Sequence, residues 1–202
     1  MTLLWAVGDC TPWHAALDGY DAAVAAYGTA RLVELDRWRT SELPQLLRAR
    51  TTPHVSLEEL VWVTEWKMLR GVWRARNLQL VRANPAEDVT RLSAEALALV
   101  PDPRKPVALL AQLGGVGPAT ASAVLATAAP AIYPFFDEVV AKQMPVLGPV
   151  AFTAGYYQHY ATALRDRTAA LNAGCSHQLW TPHAVDLALW SAVGGKMGKS
   201  GE

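Results

Sequence analysis

A glycine-rich turn and a downstream aspartate are the residues of this sequence with the clearest potential for chemistry. The segment from Leu113 to Asp137 reads LGGVGPATASAVLATAAPAIYPFFD, with a Gly-Gly-Val-Gly turn between two apolar stretches. Glycines permit positive φ angles and a close approach of the backbone to a ligand. Pro118 favours the first position of a helix, so backbone amides at that helix start can bind a phosphate. The alternative is a helix corner whose glycines serve only a steric purpose.

Asp137 also has two interpretations. A carboxylate can stabilise positive charge that develops during a reaction, and it can orient or deprotonate water. Because it directly precedes Glu138, Asp137 can instead cap a helix, a contact that stabilises by about 1 kcal/mol. The two roles can coexist. Phe136, directly before the aspartate, is expected to wall such a site rather than to react in it.

A basic and aromatic segment lies between Arg48 and Arg82 and carries seven basic residues against three acidic ones. On the helix expected there, Lys67, Arg70 and Arg74 are spaced three and four apart, which predicts one shared face. We interpret these cations as contacts to DNA or another phosphate. Trp66 can stack on an unpaired base or pack in the core. Glu65 can pair with one of the cations or line a pocket.

These residues need a helical scaffold, and the sequence predicts an all-α fold of about eight helices, since no stretch alternates with period two. Ser56 and Glu59 form a capping-box pattern that begins a long helix toward Arg82. A bend or break of that helix at Gly71 is compatible with the low helix propensity of glycine. Thr181 followed by proline begins a closing helix that ends near Val193.

The predicted domain organisation has three parts. Residues 1–50 form an N-terminal helical segment packed on the core, residues 51–193 form the core, and residues 194–202 form a flexible tail. The tail is rich in glycine and lysine.

Composition bounds the function classes. With 202 residues and 51% hydrophobic content, the chain can bury one substantial core. Its formal net charge is zero, so a nucleic acid must be met by a local patch. Two cysteines are too few for a disulfide framework or for a four-cysteine cluster. The spacing of Cys10 and Cys175 to nearby histidines is irregular, which argues against a zinc site, and we expect neither metal nor cofactor.

We expect an intracellular, cytoplasmic protein. The sequence has no apolar run of about 18 residues and no signal-peptide pattern, so no membrane contact is expected. Its oligomeric state is not indicated by any pattern.

The pattern L-x-G-V-G-x-x-T-A followed by an aspartate resembles the helix-hairpin-helix DNA glycosylase superfamily. The residues that carry the resemblance are Leu113, Gly115, Val116, Gly117, Thr120, Ala121 and Asp137. The resemblance implies that Gly115, Val116, Gly117 and Thr120 lie at a DNA phosphate. It also implies that Asp137 faces the sugar of an extruded nucleotide.

The implied activity is that of a monofunctional DNA glycosylase, which hydrolyses the N-glycosidic bond of a damaged base. Ala119 occupies the position at which the superfamily's strand-cleaving members carry a lysine, and Val139 stands where a histidine is often found. The stretch between the basic helix and the hairpin is also short for the usual helical lobe. The alternative is therefore a non-catalytic helix-hairpin-helix module that binds DNA or a protein. The target base is not indicated.

Overall fold

The computed structural model of the protein describes residues 3–175 and 179–195, and these residues form helices without any strand. The all-α prediction is confirmed. The described ranges contain twelve α-helices, more than the eight expected, because several short helices are separated by single turns. The helices are α1 (Cys10–Asp18), α2 (Tyr20–Tyr27), α3 (Ala30–Arg37), α4 (Leu43–Ala49), α5 (Leu57–Arg70), α6 (Ala75–Arg82), α7 (Ala86–Ala98), α8 (Lys105–Leu110), α9 (Pro118–Ala128), α10 (Glu138–Ala141), α11 (Ala154–Gly174) and α12 (Pro182–Ala192). Short 3₁₀ turns span Leu4–Ala6 and Pro145–Leu147, and a π-helical stretch, Trp38–Glu42, joins α3 to α4.

The helix starts expected from local capping patterns are confirmed. Ser56 accepts a hydrogen bond from the Glu59 amide at 3.2 Å, and the Glu59 carboxylate accepts one from the Ser56 amide at 2.8 Å. At the start of α12, the Thr181 hydroxyl accepts from the Ala184 amide at 3.0 Å. These contacts form because they satisfy amides that have no partner inside the helix.

The helix that follows Ser56 does not continue to Arg82 as one element, and of the two possibilities at Gly71, a bend or a break, the structure has the break. Helix α5 ends at Arg70, residues 71–74 are not helical, and α6 begins at Ala75. Gly71 lies at the end of α5 with a non-helical backbone (φ −133°, ψ −123°). Glycine has a low helix propensity, so the helix ends at this position. Residues 71–74 after it are exposed.

One hydrophobic core contains side chains from both ends of the chain, from Leu4 to Trp190. Helix α12 packs against α1 and α11, and α5 packs against α3 and α9. Four tryptophans, Trp13, Trp66, Trp180 and Trp190, are among the largest fully buried side chains. The helices of the first 50 residues therefore support α5 and α9 directly. Of the predicted tail, residues 196–202 lie outside the described residues.

Cys10 and Cys175 form a disulfide that the sequence analysis did not predict. It joins the first residue of α1 to the residue that follows α11. In the described ranges, no helix is both long and apolar enough to cross a membrane.

Candidate functional site

The turn between α8 and α9 is held against α6 by Asn84. The Gly114 amide donates to the Asn84 side-chain oxygen at 2.7 Å, and the Asn84 amide group donates to the Gly114 carbonyl at 3.0 Å. Gly115 has a φ of 76°, and a Cβ at this position would lie 2.6 Å from the carbonyl oxygen of Asn77. The steric explanation for Gly115 is therefore correct, because only glycine fits this close approach.

The start of α9 leaves backbone donors free. In the described part of the chain, no acceptor receives a hydrogen bond from the amides of Gly117, Ala119 or Thr120. Gly117 caps the helix without a side chain, and a Cβ there would meet no atom within 4 Å. The Val116 amide, by contrast, donates to the Leu113 carbonyl. Free amides at the start of an 11-residue helix favour an anion.

These free amides border a cavity of about 390 Å³. Its wall comes from residues 67–74 at the end of α5, residues 117–120 at the start of α9, and residues 135–139 around the start of α10. This volume lies within the range of typical ligand sites. Of the residues singled out from the sequence, the cavity wall includes Lys67, Arg70, Arg74, Gly117, Thr120, Phe136 and Asp137.

Asp137 caps a helix and also lies on the wall of the cavity. One carboxylate oxygen accepts from the Val139 amide at 2.8 Å and so caps α10. The other accepts from the Arg70 guanidinium at 2.9 Å. Only 6% of the residue is exposed, and burial raises the pKa of its carboxyl, against the opposing effect of the Arg70 charge. The Asp137 carboxylate therefore caps α10 and lines the cavity at the same time.

Arg70 is not the exposed cation that its spacing predicted. It is 2% exposed and donates to the Tyr20 hydroxyl at 2.7 Å as well as to Asp137. Its guanidinium lies 4.2 Å from the ring centre of Trp190. Arg74 does not share a helix with Lys67, since α5 ends before it and Arg74 caps α6. The expected common face is thus wrong, although Lys67 and Arg74 still lie on one cavity.

Two predicted pocket residues lie elsewhere. Glu65 accepts two hydrogen bonds from Arg31 of α3, at 3.1 and 3.0 Å, so its partner is none of the three cations Lys67, Arg70 and Arg74. Trp66 is fully buried and donates its indole N–H to Asp36 at 2.7 Å. Its side chain belongs to the core and cannot stack on a base without leaving it.

Behind Asp137 lies a buried polar network that sequence reasoning missed. Asp36 accepts from the Tyr20 hydroxyl at 2.8 Å, which links it to Arg70. Arg39 lies 4.0 Å from the centre of the Trp66 ring and 3.2 Å from Nε2 of His183. The sequence does contain a signal for the burial of Asp36 and Arg39. They continue the three- and four-residue spacing of the apolar residues Leu32 and Leu35, which places them on the helix face that packs into the core.

His183 and Asp186 complete this network on α12. The Tyr160 hydroxyl donates to Asp186 at 2.7 Å, and burial raises the pKa of Asp186 to about 7. Burial lowers the pKa of His183 well below its ordinary value. The second Asp186 oxygen lies 3.6 Å from Nδ1 of His183. The charge of Asp186 acts on the Asp137 and Arg70 pair, since it contributes to a higher pKa of both side chains.

The cavity therefore offers one buried carboxylate, one lysine amine, an exposed arginine and free helix amides. Such a site can bind an anionic ligand and stabilise positive charge beside the carboxylate. Within the described residues, no group of three or more histidine, cysteine, aspartate or glutamate side chains could hold a metal ion. Comparison of the chain with protein-family models, with curated proteins and with solved structures finds no match.

Proposed function

We propose that this protein is a DNA glycosylase-like enzyme of the helix-hairpin-helix type, which removes a damaged base by hydrolysis. The observation that carries the proposal is the shared cavity wall. It brings the Asp137 carboxylate, the free amides at the start of α9, and the cations Lys67 and Arg74 to one cavity. Each is a part that binding and cleaving a nucleotide requires.

In this proposal the helix start holds a DNA phosphate. The amides of Gly117 and Thr120 donate to this phosphate, while Gly115 gives the turn its shape and the Val116 side chain packs in the hydrophobic core. Arg74 and Lys67 add positive charge beside these donors. Because the net charge of the chain is zero, this local patch supplies the attraction to the DNA backbone.

Asp137 supplies the chemistry. Cleavage of the N-glycosidic bond builds positive charge on the sugar, which a nearby carboxylate stabilises, and the same carboxylate can accept a proton from the attacking water. Burial raises the pKa of the Asp137 carboxyl, and the ion pair with Arg70 at 2.9 Å opposes this effect and favours the charged carboxylate. Ala119 has no amine, so the position aligned with the lysine of strand-cleaving members supports hydrolysis alone.

The test is base release from a panel of oligonucleotides that each carry one damaged base. Asp137→Asn keeps the size of the side chain and an acceptor for the Val139 amide but removes the charge. We expect it to reduce the rate of base release about 100-fold or more, the usual effect of losing such a group. Glu138→Gln is the matched control, because Glu138 lines the same cavity and is half-exposed beside Lys142. Undiminished release by folded Asp137→Asn contradicts the mechanism.

A second function is favoured by one contact. The Arg70 guanidinium partly neutralises Asp137, which weakens the attraction of that carboxylate for a sugar cation. A non-catalytic module that binds DNA through Lys67 and Arg74 fits this pairing. In the same oligonucleotide panel, it predicts salt-sensitive binding without any released base.

A further inference from the structure

The hydroxyl of Tyr160, on α11, lies between two oxygen atoms. Its own oxygen is 2.7 Å from Oδ1 of Asp186 and 2.8 Å from the carbonyl oxygen of Phe135. All three residues are buried. In the described part of the chain, no other donor is hydrogen-bonded to the Phe135 carbonyl, which lies two residues before Asp137. The Tyr160 hydroxyl therefore links α12 to the segment that carries the carboxylate of the cavity wall.

One hydroxyl proton cannot serve both of these oxygens at once. A carbonyl oxygen only accepts, so the contact with Phe135 requires the proton of Tyr160. The contact with Asp186 then requires a second proton, which the carboxyl group carries and donates to the Tyr160 oxygen. A single proton shared between two acceptors would align with neither. Both short contacts are therefore full hydrogen bonds only when Asp186 is a neutral carboxylic acid.

The surroundings of Asp186 also favour the neutral acid. The residue is fully buried, and within the described ranges its second oxygen, Oδ2, has no hydrogen-bond partner. Nδ1 of His183 lies 3.6 Å from that oxygen, beyond hydrogen-bond distance. A buried carboxylate with an unpaired oxygen is unfavourable. Burial accordingly raises the pKa of Asp186 to about 7, against the opposing effects of Arg70, Tyr160 and Arg39.

The charges around Asp186 balance without it. Arg39 and Arg70 supply two buried guanidinium groups, and Asp36 and Asp137 supply two buried carboxylates. A charged Asp186 would give this cluster an excess negative charge in a buried environment, which is costly. A proton on Asp186 removes that excess.

The other titratable groups near α12 supply no compensating charge. Burial raises the pKa of Tyr20 on α2 and of Tyr157 on α11, and it lowers the pKa of His183, so all three are neutral. The ring of His14 on α1 packs beside Trp180, at 5.2 Å between centres. On α10, Glu138 pairs with Lys142. Further side chains of α1, α2 and α11 are exposed or donate to backbone carbonyls: Asp18, Asp21, His159, Asp166, Arg165 and Arg167.

We propose that the Tyr160 hydroxyl is a proton-controlled switch, which holds the Phe135 carbonyl only while Asp186 carries its proton. When Asp186 releases this proton to water, its carboxylate becomes the stronger acceptor, because hydrogen bonds to a charged oxygen are the stronger ones. The Tyr160 hydroxyl then donates to Asp186, and the buried Phe135 carbonyl loses its donor. No covalent bond other than the O–H bond changes.

The consequence lies at the cavity. The backbone before Asp137 is held more firmly when Asp186 is protonated than when it is ionised, since an unpaired buried carbonyl is unfavourable. The position of the Asp137 carboxylate therefore depends on a proton held on another helix, α12. The switch needs no ligand, so it does not rest on the proposed function.

The test follows the Phe135 carbonyl by NMR in protein whose phenylalanines carry carbon-13 at the carbonyl and nitrogen-15 at the amide. The chain has three phenylalanines, and Phe135–Phe136 is the single Phe–Phe peptide, so coupling to nitrogen identifies the Phe135 signal. We expect this signal to shift with a midpoint near pH 7 in the wild-type protein, while the Phe152 signal stays constant.

Three variants separate the parts of the switch. Asp186→Asn can donate from its amide as the protonated acid does, so the Phe135 signal should stay at its low-pH position at every pH. Tyr160→Phe removes the hydroxyl and should hold the signal near its high-pH position. Tyr157→Phe is the matched control, because it removes the neighbouring hydroxyl, which donates to the Pro134 carbonyl at 3.2 Å, and should keep the wild-type titration.

Several outcomes overturn the proposal. A wild-type Phe135 signal that does not move from about pH 5 to about pH 9 excludes the switch. A titration that persists in Asp186→Asn assigns the proton to another group, and one that persists in Tyr160→Phe excludes the hydroxyl as the link. If Tyr160→Phe does not fold, infrared spectra below pH 7 decide. The carboxylic acid band should be stronger in wild type than in Asp186→Asn, and equal bands contradict the proton on Asp186.

Discussion

The ion pair between Arg70 and Asp137 links the chemistry of single residues to the stability of the fold. Both side chains are buried, and the guanidinium also lies against the rings of Trp66 and Trp190. Removing one partner of a buried pair leaves an uncompensated charge, which costs about 3–5 kcal/mol. Loss of activity in variants of either residue must therefore be measured at temperatures where the variant remains folded.

Asp186 makes stability depend on pH in a direction opposite to that of most aspartates. Burial raises the pKa of its carboxyl from 3.8 to about 7, so the folded state keeps a proton that the unfolded state has lost. The stabilisation is complete below the unfolded pKa and is lost as the pH rises through the folded pKa. We expect Asp186→Asn to gain stability relative to wild type between pH 4 and pH 8, by at most about 4 kcal/mol. Urea unfolding of both proteins across this range measures the difference.

Asp166→Asn, an exposed change on α11, controls for the general loss of one negative charge and should show no such trend. His183 acts in the opposite sense, because its lowered pKa removes stability as the pH falls. The comparison is therefore made between variant and wild type at each pH. A difference that stays constant from pH 4 to pH 8 contradicts a proton held by Asp186.

At the scale of residues, the sequence predicted only contacts between residues that are close together in the chain. The caps by Ser56, Thr181 and Asp137 depend on contacts within three positions, and all three are present. The pair between Arg70 and Asp137 joins residues 67 positions apart, and no spacing rule reports such a contact. Basic residues spaced three and four apart occur both on solvent-exposed helix faces and on cavity walls. The spacing of Arg70 in the sequence therefore could not show whether its side chain is exposed or buried.

At the scale of elements, the turn between α8 and α9 depends on Gly115. An alanine here would require a positive φ of 76° and would place its Cβ 2.6 Å from the Asn77 carbonyl. We expect Gly115→Ala to lower the free energy of unfolding by about 2–4 kcal/mol, because left-handed strain and overpacking add. Urea denaturation followed by circular dichroism measures the loss.

Gly117→Ala is the matched control two residues later. Its φ of −102° suits any residue, and its Cβ would meet nothing within 4 Å. We expect this variant to unfold within about 0.5 kcal/mol of wild type, as surface changes usually do. Equal stability of the two variants would mean that Gly115 is not sterically required and that the turn can move away from α6.

The break between α5 and α6 shows why element boundaries were harder to predict than element type. Glycine lowers helix stability by about 1 kcal/mol relative to alanine, which is compatible with either a bend or a stop at Gly71. Packing decides between them, since Arg70 is drawn into the core while Val72 is 61% exposed and Trp73 is 50% exposed. The break also lets Lys67 and Arg74 lie on one cavity without sharing a helix face.

At the scale of the whole molecule, the candidate site depends on both ends of the chain. Trp190 of α12 and Tyr20 of α2 both contact Arg70, which in turn holds Asp137. Helix α1 packs on α12 beside them. Displacing the helices near either terminus would therefore change the position and the charge environment of the carboxylate on the cavity wall.

The disulfide between Cys10 and Cys175 restrains this arrangement. It closes a loop with a sequence separation of 165 residues, and in the chain-entropy model such a closure stabilises the folded state by about 5 kcal/mol. We expect reduction by dithiothreitol to shift the urea midpoint to lower concentration by a corresponding amount. Unfolding curves of the wild-type protein with and without the reductant measure the shift.

The double variant Cys10→Ser with Cys175→Ser is the control, since it should unfold like the reduced protein and be insensitive to dithiothreitol. Because α1 supports α12, and α12 supports Arg70, the lost stability should extend to the site. Hydrogen exchange of amides in α12 should accelerate in the reduced protein more than exchange in α7, which lies away from the disulfide in sequence and packs on α8 and α5. Equal midpoints in oxidised and reduced protein would show that noncovalent packing alone holds the two ends together.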